Sequence, residues 1–149
     1  MKKIIFATVI LVAISITSFA GGKEVDMKLL KDLATTLKSS VQVNWSDRDT
    51  YTKATFRFND KTAYAFYGNE NELIGFAVQF AKEDMPDVIS NALKSKYADW
   101  QVVDAIVFID PKGYLNYYAQ VQKDNKGLAL KITPNGDVSK YAKCAPYHE

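Results

Sequence analysis

The sequence is poor in the residues that most often carry chemistry. It has one cysteine, Cys144, and one histidine, His148, in 149 residues. A lone cysteine makes no internal disulfide, and nucleophilic catalysis needs a base held beside the nucleophile. Both residues lie in a C-terminal stretch that contains Pro146, where fraying would prevent a fixed reacting geometry. We therefore expect no enzyme, although paired carboxylates remain open because only their separation in space decides their role.

The chain also lacks a strong excess of charge and any loop typical of a bound metal or phosphate. Its formal net charge is +2, and two of its lysines lie in the first three residues. Such a balance gives no basic surface for holding nucleic acid by counterion release. The acidic turns near Asp47, Asp60 and Glu70 lack the alternating acids, central glycine and distant glutamate of a calcium loop. We expect no metal, no cofactor and no nucleic-acid partner.

The first twenty residues have the three parts of a secretory signal. Lys2 and Lys3 precede an apolar run, 4–16, and Ser18 and Ala20 supply the small residues before a cleavage point. The apolar run is shorter than the roughly 20 residues that a membrane span needs. The sequence therefore predicts a cleaved signal peptide at 1–20 and a periplasmic or secreted protein, an uncleaved anchor being the alternative.

Residues 21–149 contain the same pattern twice, with no Gly-, Pro- or Ser-rich linker between the halves. Helical periodicity over 27–40 is followed by four strand-like runs, and a second helical stretch, 84–97, is followed by four more. Asp84 is placed to cap the second helix. The pattern predicts an α+β fold in which two tandem α-β4 repeats, 27–82 and 83–140, lay their helices on one face of a continuous antiparallel sheet. Residues 141–149 are predicted to form a loose tail.

Alternation along the strands predicts which side chains lie on the face without helices. In the run from Tyr51 to Phe58, one set of residues is apolar and the other is mixed polar and aromatic, which is typical of a sheet with one wet side. Tyr, Trp and Arg are the residues that most often anchor protein interfaces. The alternative is that these aromatic residues have no binding role, because Tyr is common at exposed strand positions. The predicted partner-binding residues are Trp45, Tyr51, Lys53, Arg57, Tyr67, Tyr114, Tyr118 and Lys131.

Short apolar patterns recur along both halves of the chain. They are Met85-Pro86-Asp87-Val88-Ile89, Ala92-Leu93-x-x-x-Tyr97, Val102, Tyr117-x-Ala119-x-Val121, Leu128-x-Leu130-x-Ile132, Asn135-Gly136-Asp137-Val138 and, in the first half, Val43-Asn44-Trp45 with Tyr51-x-x-Ala54-x-Phe56. These patterns resemble a family of exported domains, the PepSY-like proteins, which are similar to the β-lactamase-inhibitor protein. The resemblance implies two α-β4 repeats forming a single domain at 21–140, with a free sheet face for a protein or peptide. No residue here matches an inhibitory motif one by one, so inhibition does not carry over.

Two functional interpretations follow. The first is a monomeric, non-enzymatic binding module, inhibitory in one form, that engages an envelope protein or peptide through the helix-free sheet face. The second is a carrier of a small apolar ligand in a pocket between a helix and a curved sheet. Phe66, Phe76 and Phe80 would line that pocket, and whether they pack solidly or surround a cavity distinguishes the two.

Overall fold

In the part of the chain that the structure describes, two helices lie on one side of a single eight-stranded antiparallel sheet. The structure is a computed structural model, and it describes residues 26–40 and 42–146. The predicted signal peptide and His148 lie outside these residues. The helices are α1 (Met27–Ser39) and α2 (Asp87–Lys96), and the strands are β1 (Asn44–Asp47), β2 (Thr52–Phe58), β3 (Lys61–Tyr67), β4 (Leu73–Phe80), β5 (Gln101–Ile109), β6 (Leu115–Lys123), β7 (Lys126–Ile132) and β8 (Val138–Cys144).

The sheet has the simplest order that eight strands can take. Each strand pairs antiparallel with the next one along the chain, from β1 at one edge to β8 at the other. A helix precedes the first four strands, and another precedes the last four. The prediction of an α+β fold with one continuous antiparallel sheet is confirmed.

Helix α1 begins where an acidic side chain caps it and is held to the sheet by a leucine stripe. Asp26 accepts a hydrogen bond from the backbone N–H of Leu29 at 2.8 Å, which satisfies one of the donors left free at a helix start. Leu33 is fully buried against β2, β3 and β4, and Leu30 and Leu37 pack beside it. Because these residues recur every three or four positions, they form one apolar face.

Helix α2 begins three residues later than the sequence predicts. A short 3-10 turn, Lys82–Asp84, precedes it, and Pro86 is its first flanking residue, with no side-chain capping bond. Asp84 therefore does not cap the helix. Its carboxylate instead lies 2.9 Å from the Nζ of Lys61, so it pairs with the start of β3. Pro86 has an extended backbone, with φ −57° and ψ 141°, so the helix begins at the next residue, Asp87.

Small residues in the sheet let both helices approach closely. The sheet presents alanines to the helix side, and larger apolar residues surround them. Ile89 and Leu93 of α2 are buried against β5, β6 and β7, as Leu33 of α1 is against the first half. The alanines are Ala54, Ala63 and Ala65 in the α1 cluster and Ala105 and Ala119 in the α2 cluster.

The last strand is longer than the sequence predicts. Tyr141 to Cys144 belong to β8, and Cys144 pairs with Gly127 of β7. The predicted loose tail at 141–149 is therefore wrong for its first four residues. The pattern was missed because β8 carries lysines and a bulge opposite Ala129 and Leu130, which interrupts the alternation.

Candidate binding face

A row of aromatic side chains crosses the sheet on the face opposite α1 and α2, which we call the helix-free face. Tyr51, just before β2, meets Phe66 of β3 with ring centroids 5.9 Å apart. Phe66 meets Phe108 of β5 at 6.4 Å, and Phe108 meets Tyr118 of β6 at 6.5 Å. Tyr118 then meets Tyr141 of β8 at 5.1 Å. We call these five residues the aromatic row; it joins the two halves of the sheet on this face.

The row is continuous because two intervening strands carry small residues there. In β4 the helix-free face presents Gly75 and Ala77, and a Cβ on Gly75 would lie 2.4 Å from the Cζ of Phe108. The ring of Phe108 therefore occupies the space above Gly75 and reaches Phe66. In β7, Ala129 pairs with Ala142 of β8, which leaves room for Tyr118 and Tyr141 to meet above them.

The face is not the wet surface that the alternation predicted. Tyr51, Lys53 and Tyr118 were expected to face solvent, but they are 3%, 3% and 4% exposed. Their placement on the helix-free face is correct. Burial raises the pKa of Tyr118, and the nearby Tyr141 raises it further.

Polar side chains form a second line beside the aromatic row. The hydroxyl of Tyr64 donates to Oε1 of Gln79 at 3.3 Å, and Nε2 of Gln79 donates to both carboxylate oxygens of Asp104, at 2.9 and 2.8 Å. Burial, with Asp104 as a smaller cause, raises the pKa of Tyr64 to about 12. The Nζ of Lys53 lies 5.2 Å from the centre of the Tyr64 ring, within cation–π range. Tyr64 is thus contacted by the ammonium of Lys53 and is linked through Gln79 to the carboxylate of Asp104.

Three further predicted residues lie at the margins of the helix-free face. Arg57 is exposed in β2, and its guanidinium donates to the backbone carbonyl of Asp60. Lys131 is half-buried opposite Tyr118, and burial lowers its pKa. Tyr114 is 41% exposed in the β5–β6 turn.

Two predicted residues lie on the other side of the sheet. Tyr67 pairs with Thr52 and packs against the α1 cluster, so its prediction as a helix-free residue is wrong. Residues directly opposite each other in antiparallel strands share a face, and Phe66, not Tyr67, is opposite Lys53. Trp45 pairs with Ala54, also on the helix side, and its ring lies 6.0 Å from that of Tyr67. At 60% exposure, Trp45 lies at the open edge of the sheet.

The three phenylalanines proposed to line a ligand pocket do not lie together. Phe66 is in the cluster on the helix-free face, whereas Phe76 and Phe80 pack beneath the helices. The sheet itself separates them. The interpretation as a carrier loses its predicted lining.

Sequence reasoning missed four residues that define this face: Tyr64, Phe66, Phe108 and Tyr141. A signal for two of them was present, because β3 and β4 are apolar on both faces, which indicates burial on both sides. Phe108 has the same signal in the apolar run 105–109. Tyr141 had none, because it lies at the bulge that interrupts β8.

Comparison with known proteins identifies the fold. A BLIP-like protein from Bacteroides fragilis has a TM-score of 0.64 at 12% identity, over 89% of this chain and 96% of its own. A DUF2874 family protein from Bacteroides uniformis has a TM-score of 0.65 at 15% identity, over 80% and 90%. A protein assigned to the periplasm of Bacteroides eggerthii has a TM-score of 0.64 at 18% identity, over 80% and 89%.

The fold is BLIP-like. Identities this low establish the architecture and leave the activity open. The chain matches no protein-family model and no curated protein. Within the described residues, neither helix has the length and apolar character needed to cross a membrane.

Proposed function

We propose that the chain is an exported, non-enzymatic binding module that engages a protein or peptide of the cell envelope through its helix-free face. The observation that carries the proposal is the aromatic row from Tyr51 to Tyr141, on the face to which neither described helix contributes. Aromatic residues and arginine dominate the energetics of protein interfaces. A continuous row of packed aromatic rings, with charged residues at the margins of the face, suits such a contact.

The exposed margin of the face is where the partner would make most of its contacts, because the rings themselves are largely buried. Arg57, Tyr114, Lys131 and Tyr141 are exposed or half-buried there. Three of these side chains are among the types enriched at interfaces, and the lysine adds positive charge. The solved neighbour described as periplasmic and the export-like N-terminal segment support an envelope partner, and inhibition of that partner is one form the binding would take.

Two finer expectations belong to the same proposal. The helix-plus-four-strand units at 27–82 and 83–140 are taken as repeats of the PepSY-like type, and the protein acts as a monomer. The low sequence identity of the solved neighbours leaves both as proposals.

A pull-down from the envelope extract of the native host tests the proposal. The protein is compared with Arg57→Glu/Lys131→Glu, which reverses two charges at the margin of the helix-free face. The matched control is Lys31→Glu/Lys38→Glu, which makes the same charge change on the exposed side of α1. Circular dichroism and urea unfolding first establish that all three fold.

We expect a partner that the wild type and the α1 variant retain and that the face variant loses. Equal retention by all three would show that the partner binds elsewhere. Capture of nothing by any of them would contradict the protein-binding proposal, and extraction of co-purified small molecules would then be the next step.

A further inference from the structure

One buried hydroxyl on the helix-free face has no hydrogen-bond partner. The Oη of Tyr51 is the one buried side-chain polar atom, among residues 26–40 and 42–146, that lacks a partner. Tyr51 is 3% exposed, and its ring is held edge-on against Phe66. A buried hydroxyl left unsatisfied is costly, and native structures contain few of them. The atom is therefore a candidate contact for a bound group.

A buried ammonium on the same face also lacks an acidic partner. Lys53, two residues along from Tyr51, is 3% exposed, and no carboxylate of the described chain lies within ion-pair distance of its Nζ. Its one described contact is the ring of Tyr64. Burial lowers the pKa of Lys53, and the charge of Arg48 lowers it further. A buried charge is normally paired, so the ammonium of Lys53 is a candidate partner for a bound anion.

The third element is Arg48 in the turn between β1 and β2. Its backbone N–H donates to the carbonyl oxygen of Tyr51 at 2.8 Å, which holds the turn beside the buried pair. Asp104 of β5 accepts hydrogen bonds from Gln79 at both of its carboxylate oxygens. Tyr51 and Lys53 thus offer a hydroxyl and an ammonium, and no carboxylate of the described residues hydrogen-bonds or ion-pairs with either of them.

We propose that Tyr51, Lys53 and Arg48 form a binding site for one carboxylate, carried by an acidic side chain of the partner. The proposal rests on the proposed function, since the partner supplies the group. A carboxylate accepts several hydrogen bonds and is stabilised by a buried ammonium. Asp47 and Asp49 flank Arg48, so the local charge favours a singly charged group over a doubly charged phosphate.

The test measures binding of defined peptides to the protein, expressed with its own N-terminal segment and purified from the periplasm of the expression host. The probes are an N-acetylated, C-amidated peptide with a central glutamate between leucines, the same peptide with glutamine, and inorganic phosphate. NMR chemical shifts of Lys53 and Tyr51 report occupancy. We expect the glutamate peptide to shift both residues saturably and to bind at least about tenfold more tightly than the glutamine peptide.

Three variants separate binding from folding. Tyr51→Phe removes only the unsatisfied hydroxyl, so it should fold at least as stably as the wild type and yet bind the glutamate peptide about fivefold more weakly. A purely structural tyrosine would change stability and binding together. Lys53→Met should abolish the preference for glutamate, whereas Lys131→Met, which removes another partly buried lysine of the same face, should retain it.

Equal affinity for the two peptides, shifts by phosphate as large as those by the glutamate peptide, or binding of neither peptide would each overturn the site. The outcome is separable from that of the proposed function. A partner captured equally by the wild type and Lys53→Met would remove this site and leave the binding function intact. If no partner is captured, the peptide titration still decides whether the site binds a carboxylate.

Discussion

Gly75 is the position where the aromatic row depends most directly on the absence of a side chain. An alanine Cβ there would lie 2.4 Å from the Cζ of Phe108 and 2.6 Å from the backbone carbonyl oxygen of Ile109. Non-bonded carbon atoms rest about 3.5–4.0 Å apart, so one group must move by more than about 1 Å. Phe108 is 4% exposed between Phe66 and Tyr118, and the carbonyl belongs to the neighbouring strand. Since neither has room to move, we expect Gly75→Ala to destabilise the protein by about 1–3 kcal/mol.

Gly68→Ala is the matched control, and by distance alone it should be worse. Its Cβ would lie 1.8 Å from Oε1 of Glu72, closer than any contact at Gly75. The obstructing atom, however, is the end of an exposed, flexible side chain. Swinging it away costs one exposed hydrogen bond, from the N–H of Glu70 to Oε2 of Glu72 at 3.0 Å. We expect a loss of less than about 1 kcal/mol.

Urea unfolding followed by circular dichroism measures both losses from the shift in midpoint at an unchanged m-value. The reasoning is refuted if Gly75→Ala is neutral. It is also refuted if Gly68→Ala costs as much, because the distance of the closest contact would then matter more than which atom makes it.

Three further predictions concern the helix side, the first helix and the pH dependence. Leu33→Ala should lower the free energy of unfolding by about 2–5 kcal/mol in urea melts, because the side chain is fully buried beneath α1; a loss below 1 kcal/mol, as for a surface position, would contradict that packing. Asp26→Ala should cost about 1 kcal/mol by losing the bond to Leu29, and Asp26→Asn, which retains an acceptor, should restore most of it. Because burial raises the pKa of Tyr64 from 10.0 to about 12, the unfolded chain loses this proton first, and stability should fall as pH rises through that interval. Between pH 10.0 and about 12, the urea midpoint should fall less steeply with pH in Tyr64→Phe than in the wild type. An equal fall in both proteins would contradict the raised pKa of Tyr64.

The local features of this fold were predictable because each depends on a few neighbouring residues. The bounds of β4, Leu73–Phe80, follow from an apolar run between turn residues. Asn59 and Asp60 are residue types typical of a hairpin turn, and both adopt the positive φ that such a turn needs, at 47° and 62°. The helix-side pattern of Leu128, Leu130 and Ile132 follows from alternation alone.

The depth of burial of the side chains and the register of the strands were not predictable, because both depend on residues distant in sequence. Alternation places Tyr51 on the correct face but cannot reveal that Phe66 packs against it. Tyr67 was placed on the wrong face because the sequence does not specify that Phe66 is the residue opposite Lys53. Asp84 has the chemistry of a helix cap, but Lys61 of β3 pairs with it instead.

The strand order has a consequence for how quickly the chain can fold. Six of the seven strand pairings close across short turns, whereas β4 and β5 are separated by residues 81–100, which include α2. Loop closure becomes more costly with length, and local pairings generally form faster. We expect the β4–β5 seam to close last, so that pulse-labelled hydrogen exchange during refolding protects amides within each four-strand group before those at the seam. Because the contact between Phe66 and Phe108 spans this seam, the helix-free face would be completed only in that final step.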